Sequence, residues 1–204
     1  MRAVIISGGA ISDYSYIKSQ IKLADTIICA DSGYEHAKKM GLTASVVVGD
    51  FDSIGNIPKD VECIHYPAKK DLTDTEIAIE YARTRGFTDF LMLGATGSRA
   101  DHSLTNIFLL KSFLQRGENA EILDENNKIK ITNSRISLNE PPGTIVSLVP
   151  LCDCQGVSTQ NLEYHLQNED MPMGRGRGVS NIMTENNATI TLTNGILLVM
   201  VTRD

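Results

Sequence analysis

The chain has 204 residues, 42% of them hydrophobic and 22% charged, which is ample for a buried core and ordinary for a globular protein. A formal net charge of -6 excludes the broad basic surface that nucleic-acid binding requires. No apolar run approaches the length that spans a bilayer, and Cys29, Cys63, Cys152 and Cys154 form neither a CxxC pair nor a disulfide framework, so a reducing cytoplasm is expected, with no membrane and no nucleic acid as partner.

Residues 1–6 run straight into a strand pattern, without the apolar stretch and cleavage site of a leader. Apolar runs at 3–6, 26–30, 45–48, 63–65, 90–93 and 120–123, bounded by Gly, Asp or Pro, predict buried strands. Helical spacing between them predicts helices over 14–23, 34–40, 74–85 and 104–115, with Gly41, Gly86 and Gly117 placed to end three of them. Thr73-Asp74-Thr75-Glu76 has the spacing of a capping box. Strands alternating with helices imply a mostly parallel sheet covered on both faces.

After Asp124 the period changes and no helical pattern follows. Runs at 128–138, 144–151, 157–166, 178–183 and 188–193 predict strands, and Asn194-Gly195 predicts a hairpin leading into 196–201. The expected fold is α/β: a Rossmann-like parallel-sheet catalytic domain over residues 1–125, then an antiparallel β-sandwich domain over 126–204. Ser7-Gly8-Gly9-Ala10-Ile11-Ser12 lacks the GxGxxG spacing, which sets aside a dinucleotide dehydrogenase.

Position, more than number, makes the acidic residues informative. Asp31 follows the second strand run, Asp50 and Asp52 follow the third, and Gly94-Ala95-Thr96-Gly97-Ser98-Arg99-Ala100-Asp101 follows the fifth. Those ends share one edge of a parallel sheet, where ligands bind. Asp71 and Asp74 open a helix near the same edge. Two carboxylates about 4 Å apart repel by about 4 kcal/mol at an effective dielectric near 20, a penalty that a divalent cation removes. An all-carboxylate set suits Mg²⁺, which commonly serves phosphates. Arg99 and Lys70 stand beside these loops as phosphate contacts, and Ser7-Gly8-Gly9 offers either a phosphate cradle or a tight turn. Each residue also has a plainer role: Asp74 at a helix dipole, Asp31 in a turn, His102 and Asn106 in helix capping or packing.

Gly49-Asp50-Phe51-Asp52-Ser53, Lys70-Asp71-Leu72-Thr73-Asp74 with Glu76, and Gly94 to His102 with Asn106 together resemble the thiamine pyrophosphokinase family in order and spacing. Gly178-Val179-Ser180-Asn181 followed by Gly195-Ile196-Leu197-Leu198-Val199 resembles it too, so the likeness spans nearly the whole chain. The resemblance implies transfer of the pyrophosphoryl group of ATP to thiamine, giving thiamine diphosphate and AMP, by a Mg²⁺-dependent homodimer with composite sites. It implies Asp50, Asp52 and Asp74 as Mg²⁺ ligands. Asp31, Ser53, Lys70, Asp71, Thr73, Thr96 and Arg99 form the expected nucleotide set, and Asp101, Ser180 and Asn181 the thiamine set. Asp52, Asp101 and Arg99 are the catalytic candidates, with Asp52 or Asp101 accepting the hydroxyl proton. Two departures are visible: the chain has no Trp, which some relatives use over the thiamine rings, and Ile182 stands where many bacterial relatives carry an acid. The competing readings are a pyrophosphokinase for a pterin alcohol and a Mg-nucleotide sensor without turnover.

Overall fold

A strand buried on both faces has no polar side to display, which is why the first half of the chain reads as unbroken aliphatic runs. The computed structural model describes residues 1–51, 61–66 and 71–203. It divides into two compact units, Met1–Glu125 and Asn126–Asp204.

The first unit runs β1 (Arg2–Ile6), α1 (Tyr14–Ser19), β2 (Thr26–Ala30), α2 (Gly33–Lys39), β3 (Val46–Gly49), β4 (Glu62–His65), α3 (Asp74–Thr84), β5 (Asp89–Leu93), α4 (Ala100–Arg116) and β6 (Asn119–Leu123). Every strand pairing is parallel, in the order β6-β5-β1-β2-β3-β4. Val4, Ile6, Cys29, Val47 and Leu91 pack with Ile17 of α1 and Ala37 of α2 in one buried cluster. Burial pushes the Cys29 thiol up to about 12, so it behaves as a small apolar residue.

Two helices differ from their predicted bounds by more than a residue. α1 stops at Ser19 rather than at residue 23. There the Arg2 guanidinium takes the Gln20 carbonyl at 2.8 Å and pairs with Asp25, whose carboxylate also caps the Lys22 amide at 2.7 Å. The chain is bent out of the helix and Leu23 is left exposed. α4 begins at Ala100, a turn before residue 104. Ser103 Oγ accepts the Gly97 N–H and donates to the Arg99 carbonyl, both at 3.0 Å, folding the preceding loop back onto the first turn. Asp101 and His102 are therefore helical residues.

The second unit comprises β7 (Asn127–Thr132), β8 (Arg135–Leu138), β9 (Ile145–Pro150), β10 (Cys154–Gln160), β11 (Glu169–Met171), β12 (Asn181–Ile182), β13 (Ala188–Thr191) and β14 (Leu197–Thr202). One antiparallel set runs β12-β9-β14-β7 and the other β11-β10-β13-β8. Val146, Leu148, Leu197 and Val199 of the first face Leu138, Val157 and Ile190 of the second across a shared core, which makes the unit a β-sandwich. The single strand expected over 128–138 is two strands, one in each sheet, broken where the Ser134 amide turns back onto Thr132 Oγ1 at 3.2 Å. Asn194-Gly195 does not close a hairpin: β13 pairs with β10 and β8, β14 with β7 and β9. It carries the chain from one sheet to the other, and Gly195, at φ +109°, is needed there because a Cβ would meet Cys154 Cα at 2.8 Å. Among the described residues no helix is long and apolar enough to cross a membrane.

Candidate active site at the switch point of the parallel sheet

From β1 the chain builds outward through β2, β3 and β4, then returns to add β5 and β6 on the other side of β1. The loops leaving β1 and β5 meet beyond the strands' carboxyl ends, and a crevice opens beside them. The crevice holds about 520 Å³ and is lined by residues 7–10, 30–32, 73–75 and 94–99, with His102, Ser103 and Asn106 of α4.

Backbone fills its floor. A Cβ on Gly9 would lie 2.3 Å from the Thr96 carbonyl oxygen and 2.4 Å from that of Gly94. A Cβ on Gly33 would lie 1.9 Å from the Ile6 carbonyl oxygen, so α2 starts hard against the end of β1. The Gly9 N–H donates to Gly94 O at 2.7 Å and the Ala10 N–H to Thr96 O at 3.0 Å. These two amides zip the β1 loop to the β5 loop, and a phosphate cradle would have to use others. Ser7 Oγ and Thr75 Oγ1, both buried, share a hydrogen bond of 2.8 Å that ties the loop to the first turn of α3. His36 of α2 bonds the Gly9 carbonyl at 2.8 Å.

Above this floor two carboxylates converge. The position a Cβ of Gly49 would take is 3.0 Å from Asp31 Cβ and 3.3 Å from Asp74 Oδ1, so a side chain at 49 would fill the space that the two acids share. Asp31 is held in the left-handed region, φ +44°, by its amide on Val48 O and its carbonyl on the Tyr34 amide. Phe51 is left-handed too, φ +62°, with its ring buried and packed on His65. Non-glycine residues in that conformation cost on the order of 1–3 kcal/mol and gather at functional sites. Here the anchored ring fixes the loop that carries Asp50, which is half-buried beside Gly49. Asp74 sits in the first turn of α3, after a complete capping box between Thr73 and Glu76. The Thr73 hydroxyl is thereby engaged in the cap, while Asp71 stands exposed just before it. Asp52, Ser53 and Lys70 lie outside the described residues. Among the described residues no three His, Cys, Asp or Glu side chains stand close enough to hold an ion. The acids that do converge offer oxygen alone, the donor set of a hard cation that shares its shell with phosphate.

The β5 loop lines the same crevice. Arg99 precedes α4 and pairs in a fork with Asp101, Nη2 to Oδ2 at 2.6 Å and Nε to Oδ1 at 3.2 Å, with both side chains mostly exposed. The guanidinium holds the Asp101 carboxyl down at about 2. Thr96 Oγ1 donates to Asp124 at 2.8 Å, and buried Asn106 donates to the Ala95 carbonyl at 2.7 Å, so these two shape the loop. In the second unit, Ser180 is exposed and left-handed, φ +60°, with its amide on Ser147 Oγ at 3.0 Å. The Asn181 side chain is buried and brackets the backbone of Tyr164, accepting its N–H at 3.0 Å and donating to its carbonyl at 2.6 Å.

The structure thus brings Asp31, Thr73, Asp74, Thr96 and Arg99 to one crevice. It adds Ser7, already marked by its glycines, and Thr75, and sets His36 on the Gly9 carbonyl. A histidine within a helical stretch carries no spacing signal of its own.

A glycine-floored crevice at the carboxyl edge of a parallel sheet, lined by acids and an arginine, is that of an α/β protein that handles phosphate-bearing nucleotides. Residues 17–122 match the family model described as thiamin pyrophosphokinase, catalytic domain, and residues 127–197 match that of the thiamin pyrophosphokinase vitamin B1 binding domain. The chain belongs to the thiamin pyrophosphokinase family. It is 27% identical over 194 residues to thiamine pyrophosphokinase of Bacillus subtilis, covering 87% of each chain. The crystal structure of thiamine pyrophosphokinase from Bacillus subtilis superposes with a TM-score of 0.91 over all of both chains, at 22% identity. A thiamin pyrophosphokinase family protein from Enterococcus faecalis gives 0.86 at 25% identity, again over all of both chains.

Proposed function

We propose that the crevice lined by the joined β1 and β5 loops is where this enzyme moves the pyrophosphoryl group of ATP to the hydroxyl of thiamine, giving thiamine diphosphate and AMP. The observation that carries the assignment to this crevice is the approach of Asp31 and Asp74 to the same Gly49 position, with Arg99 lining the same crevice. Attack on the β-phosphorus asks the protein to align the reactants and to neutralise charge. Arg99 suits the second task as a bidentate phosphate donor, released from Asp101 when nucleotide arrives. Asp52 and Asp101 both stand as candidates to accept the hydroxyl proton, Asp101 once Arg99 has left it for phosphate.

Asp50, Asp52 and Asp74 would hold Mg²⁺, and the room kept clear of a side chain at Gly49 fits such a use. The bound ion supplies neutralisation of phosphate charge. Asp31, Ser53, Lys70, Asp71, Thr73 and Thr96 complete the nucleotide set, while Asp101, Ser180 and Asn181 serve thiamine. For Asn181 the bracket on Tyr164 supports an indirect part, in shaping the backbone beside Ser180.

The test is incubation with Mg-ATP and thiamine, identifying the nucleotide released. AMP formed only with thiamine supports the reading. ADP indicates ordinary phosphoryl transfer, activity only with a pterin alcohol indicates the related kinase, and neither product indicates a sensor. We further propose a two-fold dimer in which each site joins one chain's first unit to the other's second unit. Mixing inactive Asp52→Asn with inactive Ser180→Trp should then restore about a quarter of wild-type activity, because about half the dimers are mixed and each has one intact site. No recovery despite confirmed mixing refutes the shared site.

A further inference from the structure

We infer that His36, steadied by Tyr14, is a positioning residue for nucleotide binding: it fixes the carbonyl of Gly9 and with it the glycine-rich wall of the crevice. The inference rests on reading the crevice as the ATP site.

His36 Nε2 lies 2.8 Å from the Gly9 carbonyl oxygen, and its Nδ1 lies 2.9 Å from the Tyr14 hydroxyl. A carbonyl oxygen only accepts, so Nε2 carries the proton and donates. Nδ1 is then an acceptor, and the Tyr14 hydroxyl donates to it. The neutral imidazole is thus satisfied at both nitrogens, by groups on α1 and on the loop after β1, while itself standing on α2. The Tyr14 ring tilts against the imidazole with centroids 5.8 Å apart, and Lys39 Nζ stands 5.5 Å from the Tyr14 ring centre. Glu35 and Lys39 on the same helix and Glu125 beyond β6 are the charges that face His36. Burial holds its pKa below the ordinary value of 6.5, with Lys39 acting in the same direction and the Gly9 bond and the two glutamates against.

Gly9 needs such help. Two backbone oxygens lie where its side chain would begin, so the position tolerates no Cβ. A residue without Cβ is also the one whose φ and ψ are least restrained. External bonds must supply the restraint. The peptide before Gly9 is fixed by its N–H on Gly94, at 2.7 Å, and the peptide after it by its carbonyl on His36. With both set, the loop keeps one orientation toward the Thr96 wall.

The experiment uses full-length His36→Ala, His36→Gln and Tyr14→Phe. ATP and thiamine are varied separately in steady-state assays, ATP binding alone is measured by calorimetry, and folding is checked by urea titration. Loss of one neutral hydrogen bond in His36→Ala should raise both the Kd and the KM for ATP about fivefold, with the KM for thiamine unchanged. His36→Gln, whose amide nitrogen stands in for Nε2, should return both to within about twofold of wild type, and Tyr14→Phe should fall between. Equal ATP affinity in folded His36→Ala, or a glutamine variant no better than alanine, overturns the inference. Should His36→Ala fail to fold, unchanged ATP affinity in Tyr14→Phe overturns it. Wild-type protein that binds no ATP would overturn the reading of the crevice, and this inference with it. Wild type that binds while the variants match it overturns the positioning role alone.

Discussion

Gly9→Ala probes how the crevice is held together. The new Cβ would stand 2.3 Å and 2.4 Å from two carbonyl oxygens, where ordinary contact begins at 3.4 Å. Both oxygens are backbone, so no rotamer relieves the clash and the β1 and β5 loops must part by roughly 1 Å in a close-packed interior. That movement strains the Gly9–Gly94 and Gly9–His36 hydrogen bonds, each worth about 1 kcal/mol net. With overpacking at about 1–3 kcal/mol, the total loss should be near 3 kcal/mol. A misplacement of about 1 Å beside reacting groups costs about a hundredfold in rate. The chain has no Trp, so urea unfolding is best followed by far-ultraviolet circular dichroism. Activity is followed as AMP released in the presence of thiamine. An unchanged urea midpoint together with kcat/KM within about threefold of wild type would refute this account of the crevice floor.

Arg99→Lys should leave the urea midpoint where it is, because the Arg99–Asp101 pair is exposed, yet lower turnover at least about tenfold, since lysine cannot grip phosphate with a fork. Unchanged turnover would return Arg99 to the surface. Glu118→Gln removes the charge opposite Arg83 in a pair with both side chains only 10% exposed. Glu80 remains as a partner at 2.6 Å, so the cost should be about 2 kcal/mol by urea titration, less than for a fully orphaned buried charge. Because His36 has its pKa lowered by folding, the unfolded chain binds more protons just below pH 6.5. Stability contributed by its neutral form is present above 6.5 and lost as pH falls through that value toward the native pKa. The pH dependence of the urea midpoint over this window should be shallower in His36→Gln, and an identical slope would contradict the assignment.

The parallel half was legible because its inner strands are buried on both faces, so Val46 to Val48 or Phe90 to Leu93 cannot be mistaken for surface. The ends of those strands then located Asp31, Asp50, Asp74 and Arg99 on one edge. The sandwich was less legible, since its strands alternate between core and solvent and partner choice is non-local. Asn194-Gly195 illustrates the limit. The turn chemistry is local, but whether the flanking strands pair is decided by which sheet each joins. The start of α4 escaped notice because Ser103, not an N-cap residue, secures its first turn. His36 escaped because its role depends on a carbonyl 27 positions away in sequence.

The placement of β1 between β2 and β5 also has a consequence for biogenesis. Arg2 leaves the ribosome well before its partner in the sheet, Asp89, which emerges only after α3 has been made. Until then the aliphatic edge of β1 that β5 will cover waits unpaired, a long-range closure of the kind that slows folding and leaves sticky surface exposed. The ligand crevice lies at the end of that same seam, where β5, the later of β1's two neighbours, pairs with it. Nucleotide capture can therefore begin only after the seam has closed, and ATP present during synthesis should act as a latch on it.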